Sequence, residues 1–376
     1  MRLIINTSSL FSGGGVQVAL SFIEECRNFE KNEYHVFLCP SVEKQIDKLS
    51  YPSNFIFYTI ERKGNIIRNI LYLRKKLSSF EKKIKPDCVF TIFGPSYWTP
   101  KVPHLLGYAL PHFLYSESPF FFRNSLLAKL KWKITAIFKK YFFLKNAKYY
   151  HVETEDARMR LAHFLHSPID KIYVVSNTYN SYFACFNNEE RDKMIKSSNI
   201  KTFLILSAFY PHKNLSILNE IIPLLIKSGI NNVEFVTTLP SQIYEDNFLE
   251  VSKTKIRNIG VIAAQDCPQL YFECNFIFLP TLLECFSANY PEAMKMDKPI
   301  LTSDLPFARD ICGDAALFFD PLDPNDIVAK IKLILENEEL QKELITNGRE
   351  QLKNFPSAQM RAEKYLTICN SILNEN

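Results

Sequence analysis

Two α/β domains, each a doubly wound parallel sheet, are what the order of apolar runs predicts. Three observations carry this. Short apolar runs alternate with amphipathic stretches from Arg2 onward. The alternation breaks at a polar segment, 181–200, and restarts at Lys201. The chain has 376 residues with 47% hydrophobic content, enough for two cores of ordinary size.

Residues 1–40 read as strand, glycine loop, helix and strand, with Ser12-Gly13-Gly14-Gly15 as the loop and the helix starting near Val16. Glycines there let backbone approach a ligand closely, or simply make a tight turn. The spacing is not G-x-G-x-x-G and no acid stands at ribose distance, which argues against a dinucleotide fingerprint. Segments 54–60, 86–93, 103–109 and 170–176 read as further strands, 65–85 and 153–165 as helices. Glu153, Thr154 and Glu155 are expected to cap the second of these. The polar stretch 181–200 reads as a linker. Beyond it, 202–209, 233–239, 259–264 and 316–320 read as strands and 215–228 as a helix. Asp323-Pro324-Asn325-Asp326 caps a helix to about Glu336, and helices fill 338–353 and 358–373.

Nine cysteines are scattered singly, with no C-x-x-C pair, as expected of thiols in a reducing cytoplasm. Leu3-Ile4-Ile5-Asn6-Thr7 turns polar too soon for a signal segment, and no apolar run is long enough to span a bilayer. Charge is uneven. Residues 1–180 hold 26 Lys/Arg and 14 Asp/Glu, so +12; residues 181–376 hold 19 and 26, so −7. Part of the basic excess lies in 120–146, where seven Lys/Arg interleave with Trp132, Ile134, Ile137, Phe138 and three phenylalanines, and no acid appears between Glu117 and Glu153. Three readings fit: a helix in the interface of an anionic membrane, a solvated helix with an ordinary core side, or a single-stranded nucleic-acid surface. The expectation adopted is the membrane, with no nucleic-acid partner.

The stretch 274–300 carries the chemistry. Phe276 to Pro280 reads as a buried strand, a loop holds Glu284, a helix follows with Asn289 or Tyr290 as its cap region, Pro291 in its first turn and Glu292 just inside, and a strand follows from Ile300. Ligands of open α/β sheets bind beyond the carboxyl ends of strands, where helix N-termini gather. Amide N–H groups from Ser287 to Asn289 suit a phosphate. The carboxylates Glu284 and Glu292 suit sugar hydroxyls, because an ionised carboxylate only accepts hydrogen bonds. No D-x-D, nucleophile elbow, P-loop or paired metal-spacing His/Cys is present.

Glu284 and Glu292, followed by Ala293-Met294 and Lys298-Pro299-Ile300-Leu301-Thr302-Ser303-Asp304, resemble the E-G-F-G-x4-E-A-M-A-x-G-x-P-V-V-A-S-D signature of retaining family-4 glycosyltransferases of GT-B fold. Supporting resemblances are Pro211-His212-Lys213-Asn214-Leu215, Lys171 to Asn177, Gly313-Asp314-Ala315-Ala316 with Asp320-Pro321, and the loop at Gly13-Gly14-Gly15. The resemblance implies two Rossmann-like domains facing across a cleft: 1–178 plus 358–376 for the acceptor, and 179–357 for a nucleotide diphosphate sugar. It implies that Glu284 contacts donor-sugar hydroxyls, Glu292 the ribose, and Lys213 the diphosphate. The donor-binding set so implied also takes in Asn214, the loop residues Cys285, Phe286, Ser287 and Ala288, and Gly14 and Gly15. His112, after Leu110-Pro111, is the candidate that orients acceptor or donor sugar; His104 reads as a satisfied strand residue.

Two departures bear on donor chemistry. The family's Arg five residues before the lysine is Ala208 here, and the glycines of E-G-F-G are Cys285 and Ser287, whose side chains are expected to narrow the backbone's approach to the donor. The loop Phe93 to Trp98 reads either as a sugar-stacking platform or as a turn packed by aromatics. The function the resemblance implies is hexosyl transfer, without metal or other cofactor, from a nucleotide diphosphate sugar to a lipid-linked or saccharide acceptor in cell-surface polysaccharide synthesis. The expected location is the cytoplasmic face of the membrane. A nucleotide-sugar epimerase of the same fold, and a non-catalytic scaffold of a membrane assembly complex, are the alternatives.

Overall fold

The structure is a computed structural model that describes residues 1–11, 13–61, 63–122, 125–186 and 199–375, with only the backbone of Leu126. The chain forms two compact units. The first comprises Met1–Ser116, Asn124–Asn177 and Pro356–Asn376, the second Glu117–Arg123 and Thr178–Phe355.

The first unit contains β1 (Arg2–Asn6), α1 (Gly14–Glu25), β2 (Glu33–Leu38), β3 (Phe55–Thr59), α2 (Ile66–Ile84), β4 (Cys88–Thr91), β5 (His104–Gly107), α3 (Leu126–Asn146), β6 (Tyr149–Val152), α4 (Glu155–Leu165) and β7 (Ile172–Val174). Its strands form one parallel sheet in the order β3-β2-β1-β4-β5-β6-β7. The second unit contains β8 (Lys201–Ile205), α5 (Leu218–Lys227), β9 (Val233–Thr237), β10 (Ile256–Asn258), α6 (Cys267–Glu273), β11 (Phe276–Leu279), α7 (Asn289–Lys295), β12 (Ile300–Ser303), β13 (Ala316–Phe319), α8 (Pro324–Glu336) and α9 (Glu338–Leu352). Its six strands are again parallel, in the order β10-β9-β8-β11-β12-β13. Both doubly wound sheets are those the alternation predicts. Parallel strands are covered on both faces, which is why they read as unbroken apolar runs; β4, β5, β6, β11 and β12 are buried at every position.

The last helix, α10 (Ala358–Ser371), packs in the first unit's core, where Tyr365 lies edge-on to Phe22 at 5.5 Å and against Phe90 at 4.8 Å. A buried cation holds it there. Arg361 donates to the Asn177 side chain and to Ser21 Oγ (2.8 Å). Gly107 closes β5, where a Cβ would meet Ile92 O at 1.8 Å and His151 Nε2 at 2.3 Å, so no other residue fits.

Several local expectations are corrected. The strand expected at 259–264 forms earlier, at β10, because Gly260 adopts φ +81° and turns the chain outward, leaving Val261 73% exposed. Thr154 alone caps α4, accepting from Ala157 N–H at 3.1 Å. Glu153 is buried just past the end of β6, and burial pushes its carboxyl up to about 7 against the opposing pull of Arg361 and Asn177. The basic helix starts only at Leu126, capped by Ser125, rather than at 120. Of the expected linker, Ser181–Ala184 is a short helix and 187–198 lies outside the described residues. None of the nine cysteines is in a disulfide.

Replacing Arg361 with Ala removes a buried and a part-buried hydrogen bond and the helix's charged anchor. Thermal or urea unfolding should show a loss of about 3 kcal/mol, whereas Lys364→Ala, on the exposed side of the same helix, should change stability by less than about 0.5 kcal/mol.

Candidate active site

In each sheet the winding direction reverses once. In the second unit it reverses between β8 and β11, which lie side by side with Phe276 opposite Phe203 and Ile277 opposite Leu204. Loops leaving the carboxyl ends of two such strands diverge and open a ligand crevice. The β8 loop brings Lys213 and the β11 loop brings Glu284. Their side chains form an ion pair, and each is less than one-fifth exposed. Burial pushes the Lys213 ammonium down to about 8, since charge is costly away from water; the adjoining carboxylate works in the other direction.

The backbone sets this meeting. Asn214 adopts φ +55°, a left-handed conformation that Asn tolerates better than most residues, and its side-chain amide donates to Pro321 O at 3.0 Å. The turn carrying Lys213 is thereby tied to the loop after β13. Leu282 N–H donates to His212 O at 2.7 Å, which joins the two loops directly beside the pair.

Glu292 lies one helical turn into α7. That helix begins at Asn289, slightly earlier than Pro291 suggests, and its N-cap Ala288 offers no side-chain bond; Asn289 instead donates to Leu206 O at 2.8 Å, fastening the helix start to the β8 loop. Burial pushes Glu292 up to about 7, opposed by a hydrogen bond from the Tyr271 hydroxyl at 3.0 Å. Tyr271, on α6, has no sequence signal and is missed by sequence reasoning. In the intervening loop Cys285 and Phe286 are buried, with Phe286 edge-on to Phe355 at 6.0 Å, while Ser287 and Ala288 are partly exposed. The Cys285 side chain thus packs inside the unit, so of the two side chains expected to narrow the approach to the donor, Ser287 alone remains partly exposed.

The other sequence-derived residues belong to the first unit. Gly14 and Gly15 open α1, after Gly13 at φ +74°. A Cβ on Gly15 would lie 3.3 Å from Phe93, at this sheet's own reversal between β1 and β4. His112 stacks flat on Trp132 of α3, with ring centroids 4.7 Å apart at 7°, and burial pushes it down to about 4, so the imidazole is neutral at neutral pH. His104 is a bonded strand residue, meeting Thr91 Oγ1 and Asn146 O, each at 2.8 Å. Trp98 is buried and Ser96 donates to its carbonyl, so the 93–98 loop is a packed turn. Among the described residues, no group of three or more His, Cys, Asp or Glu is placed to hold a metal ion.

The family model described as glycosyl transferases group 1 matches residues 186–351. That match covers most of the second unit, whose sequence is thus similar to glycosyl transferases group 1. Over 202 residues the chain is 25% identical to the uncharacterized glycosyltransferase MJ1178 of Methanocaldococcus jannaschii, a match covering 50% of this chain and 55% of that protein. It is 30% identical over 100 residues to O-antigen chain mannosyltransferase B of Escherichia coli, covering 27% and 26%. The chain therefore spans about half, or less, of the length of these relatives. The structure of HepE of Anabaena in complex with UDP-glucose superposes with a TM-score of 0.75 at 13% identity, over 99% of this chain and 100% of that one. The two parallel-sheet units are those of the GT-B fold. Within the matched stretch, Lys213, Glu284 and Glu292 all stand on the elements that flank the reversal.

Lys213→Met strands a buried carboxylate and should cost about 2–4 kcal/mol in denaturant unfolding. The double variant Lys213→Met/Glu284→Leu should recover most of that loss, because an apolar pair replaces the ions without leaving either alone.

Proposed function

We propose that the chain is a retaining glycosyltransferase that moves a hexosyl group from a nucleotide diphosphate sugar to a lipid-linked or saccharide acceptor, as in cell-surface polysaccharide assembly. The observation that carries this is the buried Lys213–Glu284 pair at the strand reversal within the stretch similar to glycosyl transferases group 1. Each partner offers one half of what such a donor needs. The sugar's hydroxyls donate to Glu284, and the diphosphate takes the Lys213 ammonium, so the two ions exchange each other for ligand and no buried charge is left alone. Glu292, steadied by Tyr271, accepts from the ribose hydroxyls. When the bond from the anomeric carbon to the diphosphate breaks, its electron pair departs on the diphosphate oxygen, and the ammonium stabilises the charge that develops there. The reaction needs no metal, and the first unit holds the acceptor, with neutral His112 orienting a sugar hydroxyl. The O-antigen relative and the UDP-glucose-bound neighbour support this class of donor and product.

The same enzyme works at the inner face of an anionic membrane. On α3, Leu127, Leu130, Ile134, Ile137, Phe138, Tyr141 and Leu144 form one exposed stripe, with Ile137 71% exposed. Lys129, Lys131 and Lys133 stand exposed beside it, while Phe142 and Phe143 hold the opposite side in the core. Helix α2 adds Ile66, Ile67 and Leu71. Its Arg74 donates to Tyr97 O at 3.2 Å and lies 5.6 Å from the Phe142 ring, so the two helices are bonded through one turn. Exposed apolar area ringed by lysines suits an anionic interface. Among the described residues, no helix is long and apolar enough to cross a membrane.

A panel of nucleotide sugars should contain one that raises the melting temperature, and Glu292→Ala should weaken its binding about 10- to 100-fold. With that donor, kcat/KM should peak between about 7 and 8: it falls below as Glu292 gains its proton and above as Lys213 loses its own. The product should keep the donor's anomeric configuration with EDTA present. Turnover of donor alone to an epimeric sugar would refute transfer.

Flotation with vesicles containing phosphatidylglycerol should recover the protein. Ile134→Ser/Ile137→Ser and Lys129→Gln/Lys131→Gln/Lys133→Gln should each release it, and unchanged flotation would refute the membrane assignment. Lys139 and Lys140 are poor probes, since one bonds the Tyr97 hydroxyl at 2.7 Å and the other covers Phe164.

A further inference from the structure

Residues Glu117–Arg123 count with the second unit, although the sequence on both sides of them counts with the first. Ser118 is 5% exposed. Its hydroxyl donates to Leu282 O at 2.6 Å and accepts from Phe120 N–H at 3.2 Å, capping the turn Pro119–Phe121. The Phe120 ring stands edge-on to the His212 imidazole at 6.3 Å, and His212 stacks on Tyr210 at 5.5 Å.

Leu282 is the point where these contacts meet. Its carbonyl accepts from Ser118 and its N–H donates to His212 O. Lys213 follows His212 directly, and Glu284 lies two residues beyond Leu282. Between β11 and α7 the loop 280–288 has no regular secondary structure, so the position of Glu284 depends on such isolated bonds. A loop left free would have to be ordered by the ligand, at a cost in affinity; a loop already held does not.

We infer that 117–122 is a strap that sets the spacing of the Lys213 turn and the Glu284 loop, with Ser118 and Phe120 as positioning residues. The inference rests on the donor-site reading of those two loops. A serine suits the role because its buried hydroxyl uses both its donor and its acceptor. An alanine there leaves a buried carbonyl without its donor. Donor affinity thus depends on a segment encoded in the N-terminal half, immediately before the exposed helix α3.

Hydrogen exchange on the ligand-free full chain tests the strap without any donor. Ser118→Ala should speed amide exchange in peptides covering 281–285 by about tenfold or more, leave the β9 peptide 233–237 unchanged, and be rescued by Ser118→Thr. Phe120→Leu should speed exchange in 210–214. Unchanged exchange at 281–285, or acceleration spread over the whole second unit, would overturn the inference. In kinetics, Ser118→Ala should raise the donor KM about tenfold and leave the acceptor KM unchanged; equal rises in both, or none, would overturn it too. Failure of the wild-type chain to bind any nucleotide sugar strikes the proposed function instead, since the exchange result does not depend on it.

Discussion

A lysine and a glutamate held together away from water are the constraint on which the second unit is built. Taking two such ions out of solvent is costly, and apolar residues of similar size would stabilise a fold at least as well. Under the proposed function, a ligand that replaces each partner with its own complement accounts for the pair. The surrounding structure serves the meeting of those two side chains: β8 and β11 lie adjacent where the winding reverses, Asn214 turns left-handed, Leu282 bonds across to His212, and Asn289 ties α7 to the same loop.

The two units divide the electrostatic work in opposite ways. The second half of the chain is acidic, yet it holds the largely buried Lys213 ammonium, whose field is strong because little water screens it. The first half is basic over a broad exposed surface, where charges act collectively and weakly. On α3 the two scales adjoin: its inward side stacks Trp132 on His112, while its outward side is the apolar stripe flanked by lysines. The histidine proposed to orient a sugar thus packs against the helix proposed to meet the membrane.

The architecture was legible because parallel strands announce themselves as apolar runs between amphipathic helices, and both sheets follow from that alternation. The acidic pair was legible through its spacing ahead of a helix start, and Lys213 through a short motif. Errors arose where local pattern misled. Ile259 and Val261 look like a strand, but Gly260 turns them into an exposed loop. Glu153 sits where a cap belongs, but Thr154 takes that role and Glu153 is buried beside Arg361's network, a contact 208 residues away in the chain. Tyr271 and Ser118 were invisible for the same reason: each acts through one hydroxyl on a partner brought near only by the tertiary fold.

The most direct test of the account is the titration of Lys213 itself, followed by NMR of carbon-labelled lysine and assigned with Lys213→Met. The account predicts one lysine titrating near 8 in the ligand-free protein, moving upward when a nucleoside diphosphate binds, because the arriving anion favours the charged form. A Lys213 signal at the ordinary lysine value, indifferent to nucleoside diphosphate at saturating concentration, would contradict it.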